Sequence, residues 1–490
     1  KEATDIADMM VEKGETLLIT TSKNNKYLYE EETGFLSLLC GDLCDNLKEN
    51  KVSLIDEKKL KYLEKYGLIN RKPISADKFR YLKTEDIEDA IFNTHQIIFE
   101  VTDRCNLKCR YCGYGDFYSN YDERLGEDMS FDTFSTLYDY FAQLWAKSSK
   151  HGSTYLRISF YGGEPLCNFA LIEEAVNYVK NHPIDNKKII YSMTTNAVLL
   201  DKYMAFLVEN EFEMLISLDG NRNNDSYRMF KTGKASFDKV VANVDRLYSK
   251  YPSYFKDKVN FNSVLHDRNS MQEADDFIYS RYGKHPMTNE LNVFGIAKDK
   301  REVFLKMFHS KIGEYEKLEN QDKVENLRFS PYLPQYEKWF FESPLINYSM
   351  NLSAVLQHVY MDNKQKIKKL PTKTCIPFSR KVFVTTSGKL FPCERIGNEF
   401  DFGTVSNGLV TIKFSAIVEA YNRLYDKYLD LCSACMIKKF CSVCIVSDLE
   451  GYKFCSEKNE VRSERVRKMV SFFEENAELY HEIMNVITIV

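Results

Sequence analysis

The chain has 490 residues, 44% of them apolar, which is too long for a single core and predicts roughly three or four folding units. Its 67 Lys and Arg side chains nearly balance 71 Asp and Glu, and this formal net charge of -4 does not favour a nucleic acid or a membrane surface as partner. No apolar run is long enough to span a bilayer, and the polar residues 1–14 are not typical of a secretion signal, so we expect a cytoplasmic protein.

The chain contains thirteen cysteines, and most of them fall into two clusters in the sequence. Clustered cysteines in a long chain without a secretion signal are more typical of metal sites than of disulfides. A site rich in thiolates also requires a reducing compartment. The two clusters are therefore the first candidates for function.

The N-terminal region, residues 1–76, predicts a small winged-helix-like domain. Within it, Glu15–Tyr29 has apolar residues on both sides of a turn-like Lys-Asn-Asn-Lys segment, which predicts a β-hairpin. Phe35–Leu47 has apolar residues at helical spacing, and Lys58–Tyr66 predicts a second helix. The charged segment 77–92 is interpreted as a linker to the next domain.

Residues 93–300 alternate between strand-like and helix-like segments. The strand-like segments are short apolar runs, as expected of parallel strands covered on both faces. Strands are predicted at Gln96–Val101, Leu156–Tyr161, Lys188–Met193, Met214–Leu218, Lys258–Val264 and Glu290–Ile296. Helices are predicted at Phe131–Ala146, Ile172–Lys180, Lys202–Glu209 and Phe237–Lys250. Repeated βα units predict the α/β class and a partial (β/α)6 barrel of the TIM type.

The C-terminal third of the chain has a different character. Residues 301–370 are charged and predict a helical bridging region. Residues 371–460 are rich in cysteine, with short apolar pieces and many turns, whereas 461–490 predicts a closing helix. The segment 371–460 is therefore a second candidate for a metal-binding domain.

The first cysteine cluster, Cys105, Cys109 and Cys112, directly follows the first predicted barrel strand. A [4Fe–4S] cubane normally takes four cysteines, so three thiolates leave one iron open for an outside ligand. Barrel enzymes place their chemistry at the carboxyl ends of the strands, where this loop lies. A structural zinc site is the alternative, but zinc prefers four ligands in paired hooks, and no fourth cysteine or histidine lies nearby in the sequence.

This segment resembles the CxxxCxΦC signature of the radical S-adenosylmethionine (SAM) superfamily, in which Φ is aromatic and is Tyr111 here. The resemblance implies that the open iron binds the amino and carboxylate groups of SAM, and that Tyr111 lies against the adenine. Gly162, Gly163 and Glu164 end the second predicted strand and resemble the GGE motif that holds the methionyl amine of SAM. Glycines let the backbone approach closely, and a carboxylate suits an ammonium group.

Further positions resemble SAM contacts of the same superfamily. Thr195 and Asn196 follow the third strand, and Ser217 and Asp219 follow the fourth, where relatives bind the ribose and carboxylate of SAM. Arg228 resembles the arginine that clamps the SAM carboxylate. A capping or turn role is the alternative for Ser217 and Asp219. The usual TNG motif is Thr-Asn-Ala here, which is a departure from the superfamily pattern.

The second cysteine cluster has the spacing C-x12-G-x4-C and then, after a gap, C-x2-C-x5-C-x2-C-x10-C. It extends from Cys375 to Cys455 and resembles the SPASM domain, which carries auxiliary iron–sulfur clusters in peptide-modifying radical SAM enzymes. The third hook has two intervening residues where the family usually has three. Zinc ribbons are the alternative interpretation of these spacings.

The SPASM resemblance implies two auxiliary [4Fe–4S] clusters, and three clusters in all. One auxiliary cluster would be bound by Cys432, Cys435, Cys441 and Cys455. The other would be bound by Cys375, Cys393 and Cys444. Related enzymes often supply a fourth ligand shortly after the first cysteine, but residues 376–381 contain none, so we expect an open iron that a substrate thiolate could fill. Packing roles are expected for the remaining Cys40, Cys44 and Cys167.

The N-terminal domain resembles the peptide-recognition element of enzymes that mature ribosomally made peptides. Such elements add the leader peptide as an extra strand at the edge of a hairpin, with a helix as the other wall. DNA binding is the alternative for a winged-helix-like unit, but the charges here are mixed and form no basic stripe.

Together these resemblances imply a radical SAM oxidoreductase that cleaves SAM to a 5′-deoxyadenosyl radical and abstracts hydrogen from a ribosomal precursor peptide. The expected product is an intramolecular crosslink, with a Cys thioether as the natural choice if a substrate thiolate fills the open iron. The expected partners are the precursor peptide, bound through its leader, and an external one-electron reductant of the flavodoxin or ferredoxin type. No nucleic acid or membrane partner is expected.

Two alternatives remain for the function. The first is a sulfatase-type maturase that oxidises Cys or Ser to formylglycine. Relatives of that type have an Asp as catalytic base where Glu394 follows Cys393, so Glu394 is a candidate base, with an ion-paired Glu as the alternative role. The second is a non-catalytic iron–sulfur or zinc scaffold that binds peptides, which the motif set around Cys105 and Glu164 disfavours.

Overall fold

A computed structural model describes residues 16–30, 36–39, 53–65, 79–147, 153–310, 314, 370–435, 441, 443–446, 466–467 and 470–478. The chain divides into two compact units. Unit 1 comprises Lys1–Leu82, Glu325–Thr374 and Glu419–Val490. Unit 2 comprises Lys83–Val324 and Cys375–Val418. None of the described helices is both long and apolar enough to cross a membrane.

Unit 1 begins with a small antiparallel sheet. Strands β1 (Thr16–Thr20) and β2 (Lys26–Glu30) form the predicted hairpin, with Thr20 opposite Lys26. Strand β3 (Leu36–Leu39) pairs antiparallel with β2, and helix α1 (Leu54–Lys65) follows. Leu28 of the sheet and Leu60 of the helix are buried against each other and form a small apolar core.

The predicted helix at Phe35–Leu47 is wrong in its first part, where the chain forms strand β3 (Leu36–Leu39). The apolar spacing there fits a helix, but a two-stranded hairpin is only marginally stable in water, and a third strand completes a sheet with an apolar face. Tertiary pairing thus overrides the local pattern. Residues 40–47 lie outside the described residues. The second predicted helix is confirmed as α1, which begins four residues before Lys58, at Leu54.

The parallel sheet predicted for residues 93–300 is confirmed in unit 2. Its first five strands lie within two residues of the predicted bounds. They are β4 (Gln96–Thr102), β5 (Tyr155–Gly162), β6 (Lys188–Thr195), β7 (Glu213–Ser217) and β8 (Val259–Leu265). Each pairs in parallel with the next, in chain order, as a partial barrel requires. Strand β4 is buried along almost its whole length, which is consistent with its apolar residues Ile97, Ile98, Phe99 and Val101.

The sixth strand is displaced from its predicted position. Strand β9 occupies Met287–Glu290 and pairs in parallel with β8. Of the segment Glu290–Ile296 that suggested the strand, only Glu290 belongs to β9, and the rest continues as irregular chain in which Gly295 has a left-handed φ of 70°. A Cβ at Gly295 would lie 2.0 Å from the side chain of Asn120, so this glycine serves a close approach.

Helices cover the parallel sheet between its strands. Helix α2 (Thr84–Phe92) occupies the second half of the segment interpreted as a linker, and it buries Ile87 and Ile91. The remaining helices are α3 (Phe131–Ala146), α4 (Phe169–Asn181), α5 (Leu200–Glu209), α6 (Phe237–Lys250), α7 (Pro252–Lys258), α8 (Met271–Tyr282) and α9 (Arg301–Met307). The bounds of α3 and α6 agree with prediction at both ends. The charges of α2 lie on one face and its apolar residues recur at helical spacing, so the second half of the segment 77–92 is helical.

Four strands from the cysteine-rich segment extend the same sheet. They are β10 (Val382–Val384), β11 (Lys389–Phe391), β12 (Gly403–Ser406) and β13 (Leu409–Ile412). Strand β10 pairs in parallel with β4, and β11 to β13 follow as an antiparallel meander. The described sheet therefore has ten strands, in the order β13-β12-β11-β10-β4-β5-β6-β7-β8-β9.

A long helix was missed in the cysteine-rich segment. Helix α10 runs from Phe414 to Ala434, where the sequence suggested only short pieces and turns. Ile417, Tyr421, Tyr425 and Tyr428 are buried and lie on one face at helical spacing. Most of the predicted bridging region 301–370 and much of the predicted C-terminal helix 461–490 lie outside the described residues, although 470–475 are helical.

Candidate active site

The loop that carries Cys105, Cys109 and Cys112 directly follows strand β4, as the sequence predicted. Backbone hydrogen bonds hold it against the chain near Arg228: Lys108 N–H donates to the Met229 carbonyl at 2.7 Å, and Arg110 N–H to the Tyr227 carbonyl at 3.1 Å. The loop is thus fixed from a second segment far away in the sequence.

The thiols of this loop are partly buried. Burial raises the pKa of Cys105 to about 11, although the Leu107 N–H opposes this shift. Burial also raises the pKa of Cys109 to about 12, and the positive charge of Arg228 opposes it. Free thiols of Cys105 and Cys109 therefore stay protonated at neutral pH, so binding iron must release their protons.

The glycines of the Gly162-Gly163-Glu164 motif let the end of β5 pack directly on the backbone that precedes the cysteine loop. Gly162 has a φ of 143°, and a Cβ there would lie 2.0 Å from the Thr102 carbonyl oxygen. A Cβ at Gly163 would lie 2.3 Å from the Arg104 carbonyl oxygen. The two glycines therefore let the end of β5 approach the backbone of Thr102 and Arg104, directly before Cys105.

Glu164 is buried, with 1% of its surface exposed, and lies in a network of hydrogen bonds. Its carboxylate accepts from the Thr195 hydroxyl at 2.6 Å and from the Asn196 backbone N–H at 2.7 Å. Burial raises the pKa of Glu164, while the hydrogen bonds from Asn196, Thr195 and Leu166 oppose the shift. The ends of β5 and β6 thus bring together Glu164, Thr195 and Asn196, which come from two different motifs in the sequence.

Asn196 connects this network to the cysteine loop. Its side-chain Nδ2 donates to Oδ1 of Asn106 at 2.7 Å and lies 3.8 Å from the Cys105 sulfur. Ala197, which replaces the usual glycine, has a left-handed φ of 59°. The departure from TNG therefore keeps the glycine-type backbone conformation, although alanine adopts it less readily.

Tyr111, Asp219 and Arg228 form a second buried network. The Tyr111 hydroxyl donates to the Asp219 carboxylate and accepts from Nη1 of Arg228 at 3.2 Å. Burial and the charge of Asp219 raise the pKa of Tyr111, so its hydroxyl stays protonated. Nε of Arg228 lies 3.6 Å from the carboxylate of Asp225. Ser217 ends β7 half-buried and makes no described contact with this network.

His266 belongs to this network, and sequence reasoning missed it. It is fully buried, its ring stacks on Tyr111 with centroids 5.6 Å apart, and its Nε2 lies 3.6 Å from the Asp219 carboxylate. Its Nδ1 accepts the Arg268 backbone N–H at 3.1 Å, so a neutral ring carries its proton on Nε2. The signal available in the sequence was a lone histidine directly after a barrel strand.

The residues around the cysteine loop fit SAM and an iron–sulfur cluster. Within the described part of the chain, Nδ2 of Asn106, Nε of Arg228 and Nε2 of His266 are buried without a hydrogen-bond partner. These donors suit a carboxylate or hydroxyl group, and the Glu164 carboxylate suits an ammonium group. Among the described residues, no cluster of three or more His, Cys, Asp or Glu side chains is arranged to bind one metal ion. A cubane cluster has a different requirement, because each thiolate binds a different iron.

Glu394 lies in a second region of unit 2, next to Cys393. Its carboxylate accepts from Nζ of Lys381 at 2.9 and 3.1 Å, and its side chain is 13% exposed. Burial alone would raise the pKa of Glu394, but the charge and hydrogen bonds of Lys381 outweigh burial and hold it below the ordinary value. Burial raises the pKa of Cys393 to about 12. Glu394 is therefore an ion-paired carboxylate in this structure.

The other cysteines of the second cluster are only partly described. Cys432 and Cys435 are buried, at and just past the end of α10, whereas Cys375 and Cys444 are exposed and Cys441 is half-buried. In unit 1, the Thr374 hydroxyl donates to the Val443 carbonyl at 3.1 Å and accepts the Ile445 N–H at 3.1 Å. Cys40, Cys44 and Cys455 lie outside the described residues.

An apolar groove of about 510 Å³ lies in unit 1 between strand β3 and helix α1. Its floor includes the buried residues Leu28 and Leu60. Its rim includes Leu38, Ile55 and Tyr62, which are 52%, 67% and 60% exposed. Within the described residues, β3 is at the edge of its sheet.

The parallel sheet, the loop of three cysteines after its first strand and the polar groups at the ends of the next strands define an enzyme domain of the α/β class. Residues 99–278 match the radical SAM superfamily, and the chain thus carries a radical SAM domain. This finding bears out the resemblance of the CxxxCxΦC loop.

Known relatives are similar over part of the chain. An uncharacterised protein of Methanocaldococcus jannaschii is 38% identical over 141 residues, which cover 29% of this chain and 44% of that protein. A cysteine-type anaerobic sulfatase-maturating enzyme of Clostridium novyi is 28% identical over 191 residues, 38% of this chain and 47% of the enzyme. The radical SAM cyclopropyl synthase TigE of Paramaledivibacter caminithermalis is 27% identical over 215 residues, which cover 43% of this chain and 42% of the synthase. The chain thus spans less than half the length of these curated relatives.

Proposed function

We propose that this protein is a radical SAM maturase that modifies a ribosomally made precursor peptide and installs an intramolecular crosslink, a Cys thioether in the form we favour. The observation that carries the proposal is the convergence of Glu164, Asn196 and Arg228 on the loop of Cys105 and Cys109. The similarity to a sulfatase-maturating enzyme and to a radical SAM cyclopropyl synthase supports it.

The residues of the site divide the work of holding SAM and the cluster. When bound, the cluster and SAM supply a 5′-deoxyadenosyl radical that takes a hydrogen atom from the substrate. Cys105, Cys109 and Cys112 would bind three irons, and Glu164 would accept from the amino group of SAM. Arg228 would donate to its carboxylate, and Tyr111 and Asp219 hold the guanidinium in position. The buried setting of these groups excludes water.

We also propose that the chain binds two auxiliary clusters and that Glu394 has a conditional role as a base. The ligand sets are those that the SPASM resemblance implies, with an open iron at the site of Cys375, Cys393 and Cys444. Glu394 is ionised, and its carboxylate accepts hydrogen bonds from the Lys381 ammonium group, which makes the carboxylate a weaker base. Glu394 would therefore act as a base only if the substrate displaces Lys381. A flavodoxin- or ferredoxin-type protein would deliver the electron.

The groove between β3 and α1 supports binding of the leader peptide. An extended leader would add a strand beside β3 and place apolar side chains against Leu38, Ile55 and Tyr62. Backbone hydrogen bonds would give affinity, and the apolar pockets would give selectivity. Large apolar side chains exposed together are typical of an interaction surface.

The proposal is tested by anaerobic reconstitution of the full chain with iron, sulfide, SAM and dithionite. We expect 5′-deoxyadenosine release that the triple change Cys105→Ala, Cys109→Ala and Cys112→Ala abolishes. Cys167→Ala is the matched control, because Cys167 is half-buried near the same loop but outside every proposed ligand set, and it should retain the product. Release by the triple variant would contradict the assignment.

The modification itself is tested with a Cys-containing peptide encoded beside the gene. A thioether removes two hydrogens from the peptide and blocks alkylation of the Cys side chain. A sulfatase-type maturase is the second candidate, favoured by the similarity to the Clostridium novyi enzyme. It would instead produce an aldehyde that reacts with a hydrazine, and this product would replace our proposal by the second candidate.

A further inference from the structure

Unit 2 contains a cavity of about 330 Å³ that no residue proposed to hold SAM lines. Strands β4, β10 and β11 and the segment around Arg124 form its walls. Asp103, which precedes Cys105 by two residues, lines one part, and Glu394, which follows Cys393, lines another. The volume is at the small end of the range for ligand pockets and suits one side chain rather than a whole cofactor.

The charges of the cavity wall are mostly negative. Its acidic residues are Glu100, Asp103, Asp122, Glu123, Glu127 and Glu394. Its two cations are already paired, Arg124 with Glu100 and Lys389 with Asp122, the latter at 2.8 Å. Glu394 is paired with Lys381. The other three carboxylates of the wall have no ion pair among the described residues, and they are Asp103, Glu123 and Glu127.

Asp103 gives independent evidence for a missing partner. It is 9% exposed, and its Oδ2 accepts the Leu125 backbone N–H at 2.9 Å. Its Oδ1 is buried and has no hydrogen-bond partner within the described residues. A buried carboxylate oxygen without a donor is unfavourable, so a group that enters the cavity and donates to Oδ1 is stabilised there.

The remaining walls suit the stem of a long side chain. Tyr121, Phe383, Phe391 and Ile396 supply aromatic and apolar surface beside the carboxylates. A Lys or Arg side chain combines an apolar stem with a cationic head, and it buries the stem on such surface while its head meets a carboxylate. An acidic or purely apolar side chain would leave the Asp103 oxygen unpaired.

We propose that this cavity binds a basic side chain of the substrate peptide, with Oδ1 of Asp103 accepting a hydrogen bond from the ammonium or guanidinium group. The inference rests on the proposed function, because it takes a peptide as the substrate. It names a Lys or Arg near the modified residue as a determinant of substrate choice.

The test uses small amides, since they contain the side chain without a precursor peptide. N-acetyl-lysine methylamide and N-acetyl-arginine methylamide are titrated into the anaerobically reconstituted full chain with SAM, and binding is followed by saturation-transfer NMR. N-acetyl-norleucine methylamide and N-acetyl-glutamate methylamide are the neutral and anionic controls. We expect the cationic amides to bind about tenfold more tightly than the norleucine amide, as a hydrogen bond between charged groups implies.

Asp103→Asn should remove this preference, because the amide keeps the shape of the side chain without its charge. Glu174→Gln makes the same charge change on the exposed face of helix α4 and should leave the preference unaltered. The comparison of amides on the unchanged protein needs no variant, so it remains decisive if Asp103→Asn fails to fold.

Equal binding of cationic and neutral amides, or a preference that survives in a folded Asp103→Asn variant, would overturn the inference. Release of 5′-deoxyadenosine is measured on the same samples. SAM cleavage without selective amide binding would refute the cavity assignment alone, whereas an absence of SAM cleavage would refute the proposed function.

Discussion

Replacing Gly163 by Ala should disrupt the support of the cysteine loop. The new Cβ would lie 2.3 Å from the Arg104 carbonyl oxygen and 2.7 Å from that of Asp103, both of which are backbone atoms. Ordinary van der Waals contact requires the Arg104 carbonyl to retreat by roughly 1 Å. That carbonyl also accepts the Glu164 N–H at 2.8 Å, so the shift weakens this hydrogen bond as well.

The magnitude follows from these two contacts. Overpacking against rigid backbone costs about 1–3 kcal/mol, and a weakened hydrogen bond adds about 1 kcal/mol. A loss of about 2–4 kcal/mol lowers the midpoint of thermal unfolding of a unit of this size by roughly 4–16 °C. Because Arg104 precedes Cys105, a displacement of about 1 Å should also lower 5′-deoxyadenosine release about a hundredfold.

The assay is thermal unfolding by circular dichroism, together with iron content and 5′-deoxyadenosine release under anaerobic conditions. Gly113→Ala is the matched control, since Gly113 directly follows Cys112 but a Cβ there would meet no atom within 4 Å. It should change the free energy of unfolding by no more than about 0.5 kcal/mol. If Gly163→Ala unfolds at the temperature of the control with full iron content, the packing argument is refuted.

Both His266→Asn and His266→Gln remove a buried ring and should lower the unfolding midpoint. His266→Asn keeps an acceptor for the Arg268 N–H but loses the Nε2 donor, so it should lower SAM affinity in calorimetry more than His266→Gln does, and equal SAM affinity in the two variants would contradict the assigned tautomer. Leu38→Asp should weaken binding of a fluorescent leader peptide at least about tenfold, because Leu38 lines the groove. The control Leu409→Asp, at a residue 69% exposed on β13, should leave binding unchanged. Unchanged binding in Leu38→Asp would exclude the groove as the leader-binding site. Removing iron with a chelator should lower the unfolding midpoint, because a ligand of the native state stabilises it, and an identical midpoint without iron would argue against the proposed clusters.

The fold of the barrel segment was predictable because strand-like and helix-like segments alternate along residues 93–300. Strand β4 contains the apolar run Ile97–Phe99 followed by Val101, and its recognition required no knowledge of its neighbours. Strand β3 was not predictable in this way, since Leu36–Leu39 becomes a strand only by pairing with β2. Helix α10 was missed because its buried positions are largely tyrosines, whose spacing did not stand out in a polar, cysteine-rich segment.

The candidate site was predictable where a motif is local and not where it depends on folding. Cys105, Glu164 and Asn196 each follow a strand, and neighbouring parallel strands end at one edge of the sheet. His266 has no motif of its own, and only the structure brings its ring onto Tyr111. The pairing of Glu394 with Lys381, thirteen residues earlier in the chain, likewise required coordinates.

Domain bounds drawn from cysteine spacing differ from the compact units for a physical reason. The segment 371–460 was predicted as one domain, yet residues 375–418 belong to the same unit as the barrel strands. Strand β10 pairs in parallel with β4, and the Glu100 carboxylate on β4 accepts the Thr386 N–H at 3.4 Å. Asp122 accepts from Lys389 and from Asn398 at 2.8 and 2.6 Å. The two sequence segments thus share one sheet, which the spacing of the cysteines does not indicate. Through this sheet, Cys393 and Glu394 are held in a fixed position relative to the strand that leads into Cys105.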